Sequence, residues 1–412
     1  MPSLPIDALS WFERFTARKR NLWFFSLFFL FPLIGNVVSR WAKGGWWLND
    51  FDALICGAHY ISTGQSPYSL HPVCEGLRPA VYVYAPQVAQ FFIPFIDAFG
   101  LSGARMAYLL ILLPAMGIMT WYMLFKAFPK SPFHFRLMSV AAINGSAACC
   151  GNISFILHAL VVLGAINLKR SRWPFIIAVT LGAMVKPVFL TYLIVLLFEN
   201  RPLVKRLFTG LIAATVGLGG VMLIMLTSGT FGDAWHEALH TIVIEQQPGI
   251  SFFALTSSLG FSMASPISLI GLAIFTGVMI ISGLILTEWG RLNDDERILL
   301  GMGFALMLNP RLQDYDMYFL GPCLAMIIMM VKPLDTRIFI WVSWLFSGIL
   351  IFDVIINILE VEGIHRAPLT VFIYCVLTVS IAGLTAWPQR ARIRGWFRNP
   401  LPVLQDILAQ RI

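Results

Sequence analysis

The stretch LWFFSLFFLFPLIGNVVSRWAKGGWWLNDFDALICGAHYISTGQSPY, residues 22–68, decides how the whole chain is read. Its first part, Leu22 to Trp41, is an apolar run of about twenty residues, the length of helix that crosses the hydrocarbon core of a bilayer. Arg14, Arg18, Lys19 and Arg20 precede it. A cleaved signal peptide has a shorter apolar core and a small-residue cleavage site. This run has neither, so it reads as an uncleaved first span whose N-terminal side faces the cytoplasm. Past it, the chain leaves the bilayer through Trp46 and Trp47 and sets two carboxylates, Asp50 and Asp52, at the exit. With only 21 acidic residues in 412, that placement asks for a reason.

The rest of the chain repeats the apolar pattern. It is 58% hydrophobic and 12% charged, with a mean hydropathy of +0.78, where a soluble domain carries about 25% charged residues. The expected class is an all-α polytopic membrane protein of about 12 transmembrane helices with a long first outer loop. After the first span, apolar runs fall near 85–99, 104–126, 152–168, 174–186, 187–200, 207–227, 265–287, 298–309, 316–331, 338–357 and 367–387. The run near 85–99 is expected to return inward and that near 104–126 to go out again. Residues 127–151 are mixed in character, as a re-entrant piece would be. Three parts follow: a cytoplasmic segment 1–21, a membrane domain 22–387 with outer loops near 42–83 and 228–264, and a basic cytoplasmic tail 388–412. The net charge of +8 sits in short loops and at the ends, where Lys and Arg fix topology and meet anionic lipid headgroups. Nothing resembles a nucleic-acid-binding module. The absence of a visible internal repeat and the few charges inside the runs argue against a two-half ion-coupled transporter.

Six cysteines include the adjacent pair Cys149 and Cys150, and Cys323 and Cys375 in apolar runs. Cys56 and Cys74 share the first outer loop; cysteine count alone does not decide whether they pair. No Cys and His cluster has zinc-ligand spacing. The second outer loop carries His236-Glu237-Ala238-Leu239-His240, which fits H-E-x-x-H on paper, with Glu245 as the third ligand of a metalloprotease reading. The rest of the chain supplies no protease context. Interfacial histidines, or histidines that bond a sugar hydroxyl, are the commoner outcome.

Asp50 and Asp52 read in two ways. Both serve as first-turn acids of an interfacial helix beside a tryptophan belt, or one is a general base at the membrane surface. Two residues apart on a helix, they point to different faces, so at most one lines a site. Lys186, between two apolar stretches, is either a snorkelling lysine or a cation for a phosphate. Arg311 is either a second phosphate ligand, suited by its planar fork, or a partner of Asp314 or Asp316. Arg78 reads first as an exposed loop arginine.

Order and spacing add a further reading. Asp50 is followed fourteen residues later by Gly64-Gln65-Ser66-Pro67-Tyr68, then by Tyr82-Val83-Tyr84-Ala85-Pro86 before the next apolar run. This resembles the first outer loop of glycosyltransferase family 87, with Ala85 in place of the first proline of a Y-x-Y-P-P element. Gly151-Asn152-Ile153-Ser154 is partly similar to that family's Gly-Gln-x-Asn start of a span. Gly182-Ala183-Met184-Val185-Lys186-Pro187 matches its small-residue helix ending in Lys-Pro. Gln247-Pro248-Gly249-Ile250-Ser251 and Asn309-Pro310-Arg311-Leu312-Gln313-Asp314-Tyr315 are looser counterparts of later polar elements. The similarity covers roughly residues 22–335.

The resemblance implies a GT-C type fold and an inverting transfer of a hexose, with mannose the first expectation. The donor would be a polyprenyl-phosphate sugar. The acceptor would be a glycolipid or glycan at the outer face of the cytoplasmic membrane. Asp50 would be the base, preferred over Asp52 on the spacing to Gly64. Lys186 and Arg311 would hold the donor phosphate, and Tyr84, His240 and Gln247 would line the sugar pocket, with no cofactor or metal required. The alternative is a lipid or solute transporter or flippase with the same helices and no covalent chemistry, which has no need of an acid-bearing outer loop.

Overall fold

A computed structural model describes residues 46–131, 148–246, 249–343 and 366–391, with isolated positions at 34, 37–38, 41–42, 136–137, 345 and 394. Among the described residues the fold is entirely helical. In chain order come α1 (Asn49–Ser62), α2 (Pro86–Trp121) with a π turn to Lys126, α3 (Ser154–Ile166) and α4 (Trp173–Val185). A 3-10 segment Pro187–Leu193 leads to the short α5 (Ile194–Leu197), and α6 (Leu203–Leu226) follows. Then come α7 (Gly232–Ala238), a π-helical stretch Leu239–Gln246, α8 (Phe252–Ser258), α9 (Pro266–Trp289) and α10 (Asp294–Met307). Asp314–Phe319 forms a 3-10 turn into α11 (Leu320–Val331), and α12 covers Arg366–Ala386.

Among the described residues, four helices are long and apolar enough to cross a membrane: Gly103–Lys126, Leu203–Leu226, Pro266–Trp289 and Val371–Gln389. They mark the chain as an α-helical, membrane-embedded protein. The other apolar helices, Ser154–Ile166, Trp173–Val185, Pro187–Leu197 and Tyr315–Val331, are shorter, so the count of about twelve spans is not reached among the described residues. The expected spans near 22–41 and 338–357, the segment 1–21 and the tail 388–412 lie largely or wholly outside those residues.

The helices share two chemically distinct ends. At one, Lys126 and Lys169 reach Asp295 (3.8 and 3.2 Å), Arg172 and Arg201 reach Glu199 (2.9 and 3.7 Å), and Arg206 and Arg297 reach Glu288 (2.7 and 3.9 Å). This is the basic end. At the other lie α1, the start of α3 and the close of α4 and α10.

The run near 85–99 corrects the expected map. Pro86 starts at the end opposite the basic residues: the Gln87 amide donates to the Ile224 carbonyl (2.8 Å) and to Thr227 Oγ1 (2.9 Å) at the close of α6. Gly100, at φ 66°, breaks α2 there, because that left-handed backbone is open to glycine at no steric cost. Five residues later Arg105 pairs with Asp52 of α1, still at the same end. The first part of α2 therefore lies across this end instead of crossing the bundle. Val88, Ala89 and Phe92 are buried while Phe91, Pro94 and Phe99 are exposed. The second part then descends to Lys126 at the basic end, opposite to the expected direction. Beyond it, Lys130 pairs with Glu296 at 3.8 Å at the basic end, and the Cys149 carbonyl accepts from Leu48 N–H at the other.

Candidate functional site

The helix that carries Asp50 begins under constraint. Leu48, its N-cap, holds a left-handed backbone at φ 64°, a conformation that costs about 1–2 kcal/mol for a residue with a side chain. Backbone bonds from a distant segment hold it there: Leu48 N–H donates to the Cys149 carbonyl and Asp50 N–H to the Cys150 carbonyl, each at 3.0 Å. Gly151 follows at φ 68°, so close to Leu48 that a Cβ would lie 2.6 Å from Leu48 Cδ2. The Tyr108 hydroxyl donates to the Gly151 carbonyl (2.8 Å), and the Tyr108 ring stacks on Phe51 at 3.9 Å. Cys56 and Cys74 form a disulfide, tying the body of α1 to the loop that follows.

Asp50 and Asp52 part company on this helix. Asp52 is fully buried. Arg105 grips it with two bonds, Nε to Oδ1 at 2.8 Å and Nη2 to Oδ2 at 2.5 Å. Trp46 Nε1 (2.8 Å) and the Arg78 backbone N–H (3.1 Å) donate to the same carboxylate. The guanidiniums of Arg78 and Arg105 lie over the Trp46 ring at 4.7 and 4.9 Å. Four donor groups converge on the buried Asp52 carboxylate, so it is a structural keystone. Asp50 is half-buried and lines a cavity of about 460 Å³.

That cavity is where the remaining elements stop. Thirteen residues of α-helix, as in α3 and α4, rise about 20 Å, short of the ~30 Å hydrocarbon core. Pro187 explains the end of α4. It removes a backbone donor and drives the preceding residue out of helical geometry, and Lys186 is extended at φ −138°, ψ 103°. Irregular backbone at membrane depth is tolerated where it lines a cavity. Opposite Lys186, two polar segments are stitched together. Ile250 N–H donates to the Leu312 carbonyl (2.8 Å), Phe253 N–H to the Pro310 carbonyl (3.0 Å), and Ser251 Oγ to the Asn309 carbonyl (2.7 Å). They deliver Arg311, Gln313, Tyr315 and Asp316 to the cavity wall.

The polar groups form two neighbouring hydrogen-bonded sets, one centred on Asn152 and one on His158. Asn152 Nδ2 donates to Asp50 Oδ2 (2.6 Å), while Asn152 Oδ1 accepts from Lys186 Nζ (2.9 Å) and from Ser154 N–H (3.0 Å). Lys186 Nζ also donates to Ser154 Oγ (2.5 Å), and its charge lies over the Tyr315 and Tyr84 rings at 4.5 and 5.7 Å. Asp316 stands on the same cavity wall, near Lys186 and Ser154. Asp316 Oδ1 lies 3.0 Å from His158 Nε2, whose Nδ1 lies 2.8 Å from the Tyr192 hydroxyl. Burial, together with Tyr315 and Asp50, holds the Tyr84 phenol well above its ordinary value, leaving it neutral. Burial lowers Arg311 while Tyr315 and Asp316 oppose the change; a guanidinium starts so high that it stays charged.

Of the residues singled out in the sequence, Asp50, Tyr84, Lys186 and Arg311 surround one cavity. His240 is exposed and outside that lining, although Leu239 and Ile242 beside it belong to it. Gln247 lies outside the described residues. The H-E-x-x-H reading gains nothing: His236 is exposed and stacks on Trp235, and among the described residues no three His, Cys, Asp or Glu side chains gather to hold a metal ion. Sequence reading missed His158 and Tyr192, which sit in apolar segments, and weighed Asp316 only as a partner for Arg311. The one available signal was the rarity of ionisable groups inside apolar runs.

The molecule is thus a helical membrane protein with a polar, charge-bearing cavity at the end away from its basic loops. No protein-family model, curated protein or solved structure matches the chain.

Proposed function

We propose that the protein is a membrane glycosyltransferase that moves a hexose, mannose first among the candidates, from a polyprenyl-phosphate donor to a glycolipid or glycan acceptor. The observation that carries this reading is the meeting in one cavity of a half-buried carboxylate, Asp50, and two cations, Lys186 and Arg311. Displacement at a sugar carbon needs both. As the acceptor oxygen bonds to the anomeric carbon, its proton passes to Asp50, and the bond from that carbon to the donor phosphate breaks. The electron pair leaves on the phosphate, and fixed cations stabilise the charge it gains. A single displacement of this kind inverts the anomeric centre. The neutral Tyr84 phenol is suited to bond a sugar or phosphate oxygen.

Topology supports the same reading. Lys and Arg concentrate at the end away from the cavity, and cytoplasmic loops carry such an excess. The Cys56–Cys74 disulfide lies on the cavity side, and disulfides persist in oxidising compartments. Both features fit a site facing the outside of the cytoplasmic membrane, where lipid-linked sugars are presented to acceptors.

The test is transfer of labelled mannose from polyprenyl-phosphate mannose by purified protein, with membrane lipid extract as acceptor, wild type beside Asp50→Ala. The expected result is transfer by wild type and a loss of at least about a hundredfold in the variant, within the range a general base contributes. Full activity of Asp50→Ala would refute the role of Asp50. Absence of transfer by both, with lipid movement across liposomes, would favour a flippase.

A further inference from the structure

Three features outside the proposed chemistry were candidates for a second role. The hollow of about 280 Å³ at the basic end is lined by Lys169, Arg172, Arg201 and Arg297. Its cations are already engaged: Lys169 with Asp295, Arg172 and Arg201 with Glu199, and Arg297 with the Thr287 carbonyl at 2.7 Å. The exposed ring of His236 stacks on Trp235, and among the described residues no three His, Cys, Asp or Glu side chains gather there to hold a metal ion. Asn152, at the centre of the cavity wall, goes further.

Asn152 is 2% exposed, and its amide has one orientation open to it. Two donors converge on one side, Lys186 Nζ and Ser154 N–H, at 2.9 and 3.0 Å. That side must therefore be the oxygen, which accepts; the nitrogen, which donates, is turned to Asp50 Oδ2 at 2.6 Å. From this we infer that Asn152 is a positioning residue. It fixes the rotation of the Asp50 carboxylate through Oδ2, and its carbonyl ties that carboxylate to the phosphate-binding ammonium. The inference rests on the proposed transferase reading and adds to it the part that couples base to cation. The backbone is built for this. Gly151 lets the chain turn against Leu48, so Asn152 and Asp50 come from segments 102 residues apart in sequence and meet side chain to side chain.

An N–H bond to a carboxylate favours its charged form. Besides Asn152, the Lys186 ammonium and the phenols of Tyr84 and Tyr108 are among the groups that act on Asp50. Removing the amide leaves those three in place, takes away one stabilising bond and loosens the restraint on the carboxylate's rotation. The base then protonates at higher pH, and the acid limb of kcat/KM moves up.

Two variants separate this from a loss of folding. Asn152→Ala removes both halves of the amide. Asn152→Asp keeps the size and the oxygen that Lys186 and Ser154 use, and replaces only the donor facing Asp50. With polyprenyl-phosphate mannose as the probe, both are expected to lose on the order of a hundredfold in kcat, as a misplaced reacting group does. Both should also move the acid limb upward, the Asp variant further, because it adds a like charge. Melting curves in detergent near that of wild type are expected for Asn152→Asp. Wild-type transfer with an unmoved acid limb in both variants would overturn the positioning role and leave the transferase reading standing. Absence of transfer by wild type would overturn both.

Discussion

The two ends of the bundle use the same residue types to opposite effect. At the basic end, charges are spent on one another. Glu199 takes Arg172 and Arg201, Glu288 takes Arg206 and Arg297, and Arg297 also donates to backbone carbonyls. These bonds close helix ends that would otherwise leave carbonyls without partners. At the cavity end, Lys186 and Asp50 are held through a neutral amide, and Arg311 is set on the cavity wall. A direct Lys186–Asp50 pair would neutralise both groups. Routing the contact through Asn152 sets the carboxylate and the ammonium on the wall of the same cavity without pairing them directly. The contrast teaches that what distinguishes a site from a structural cluster here is the neutral spacer, not the number of charges. Asp52 makes the same point within one helix, since four donors consume it two residues from Asp50.

The sharpest way to break this contrast is to remove the cations of the cavity. Lys186→Met and Arg311→Met, assayed for transfer as above, are each expected to lower kcat by on the order of a hundredfold or more, the scale of losing a fixed group that meets developing charge. Lys186→Arg is expected to recover only part of the activity, because a planar fork does not reproduce a compact ammonium bonded to Asn152 and Ser154. Wild-type rates in either Met variant would place the cavity among the structural clusters.

Asp52→Ala sharpens the comparison from the other side. It strands Arg105 beneath Trp46 with no anion to pair with. Breaking a buried ion pair by deleting one partner costs about 3–5 kcal/mol, and the lower end applies because Arg105 is partly exposed. The expected outcome is a lowered melting midpoint in detergent, while the transfer rate per folded molecule falls by less than about tenfold. A normal midpoint with abolished transfer would reverse the assignment of the two acids.

The membrane class was legible in the sequence because a run such as Leu203–Leu226 can do little else in water. So was the meeting of Asp50, Lys186 and Arg311, through the order of the short polar elements and not through any one of them. Three things were not legible. Pro86–Phe99 is as apolar as a span, and composition does not tell a helix lying across the end of a bundle from one crossing it; only Gln87 at Thr227 and Arg105 at Asp52 decide it. His158 meets Asp316 over a separation of 158 residues, a pairing no local pattern announces. Asn152 looked like an imperfect match to a motif, and its role depends on two partners, Asp50 and Lys186, from other elements. His240 failed for the opposite reason. It lies on a turn whose apolar residues face the cavity, and its own exposed side chain does not line it.

The smallest expected effect comes from the basic end. Arg206 is nearly buried and donates to Glu288 Oε1 at 2.7 Å and to the Leu197 carbonyl at 2.9 Å, while Glu288 is about a third exposed. Glu288→Gln keeps the shape and an acceptor oxygen but removes the charge that Arg206 and Arg297 share. Because water screens the exposed partner, the loss should be about 1 kcal/mol, near the upper range for a surface pair, and should shrink with added salt. Transfer by the folded protein should be unchanged, since Glu288 lies at the far end from Asp50. A change in kcat would mean that the two ends are coupled through the helices between them. The division of labour proposed here, structural pairs at one end and reactive groups at the other, would then be wrong in its central claim.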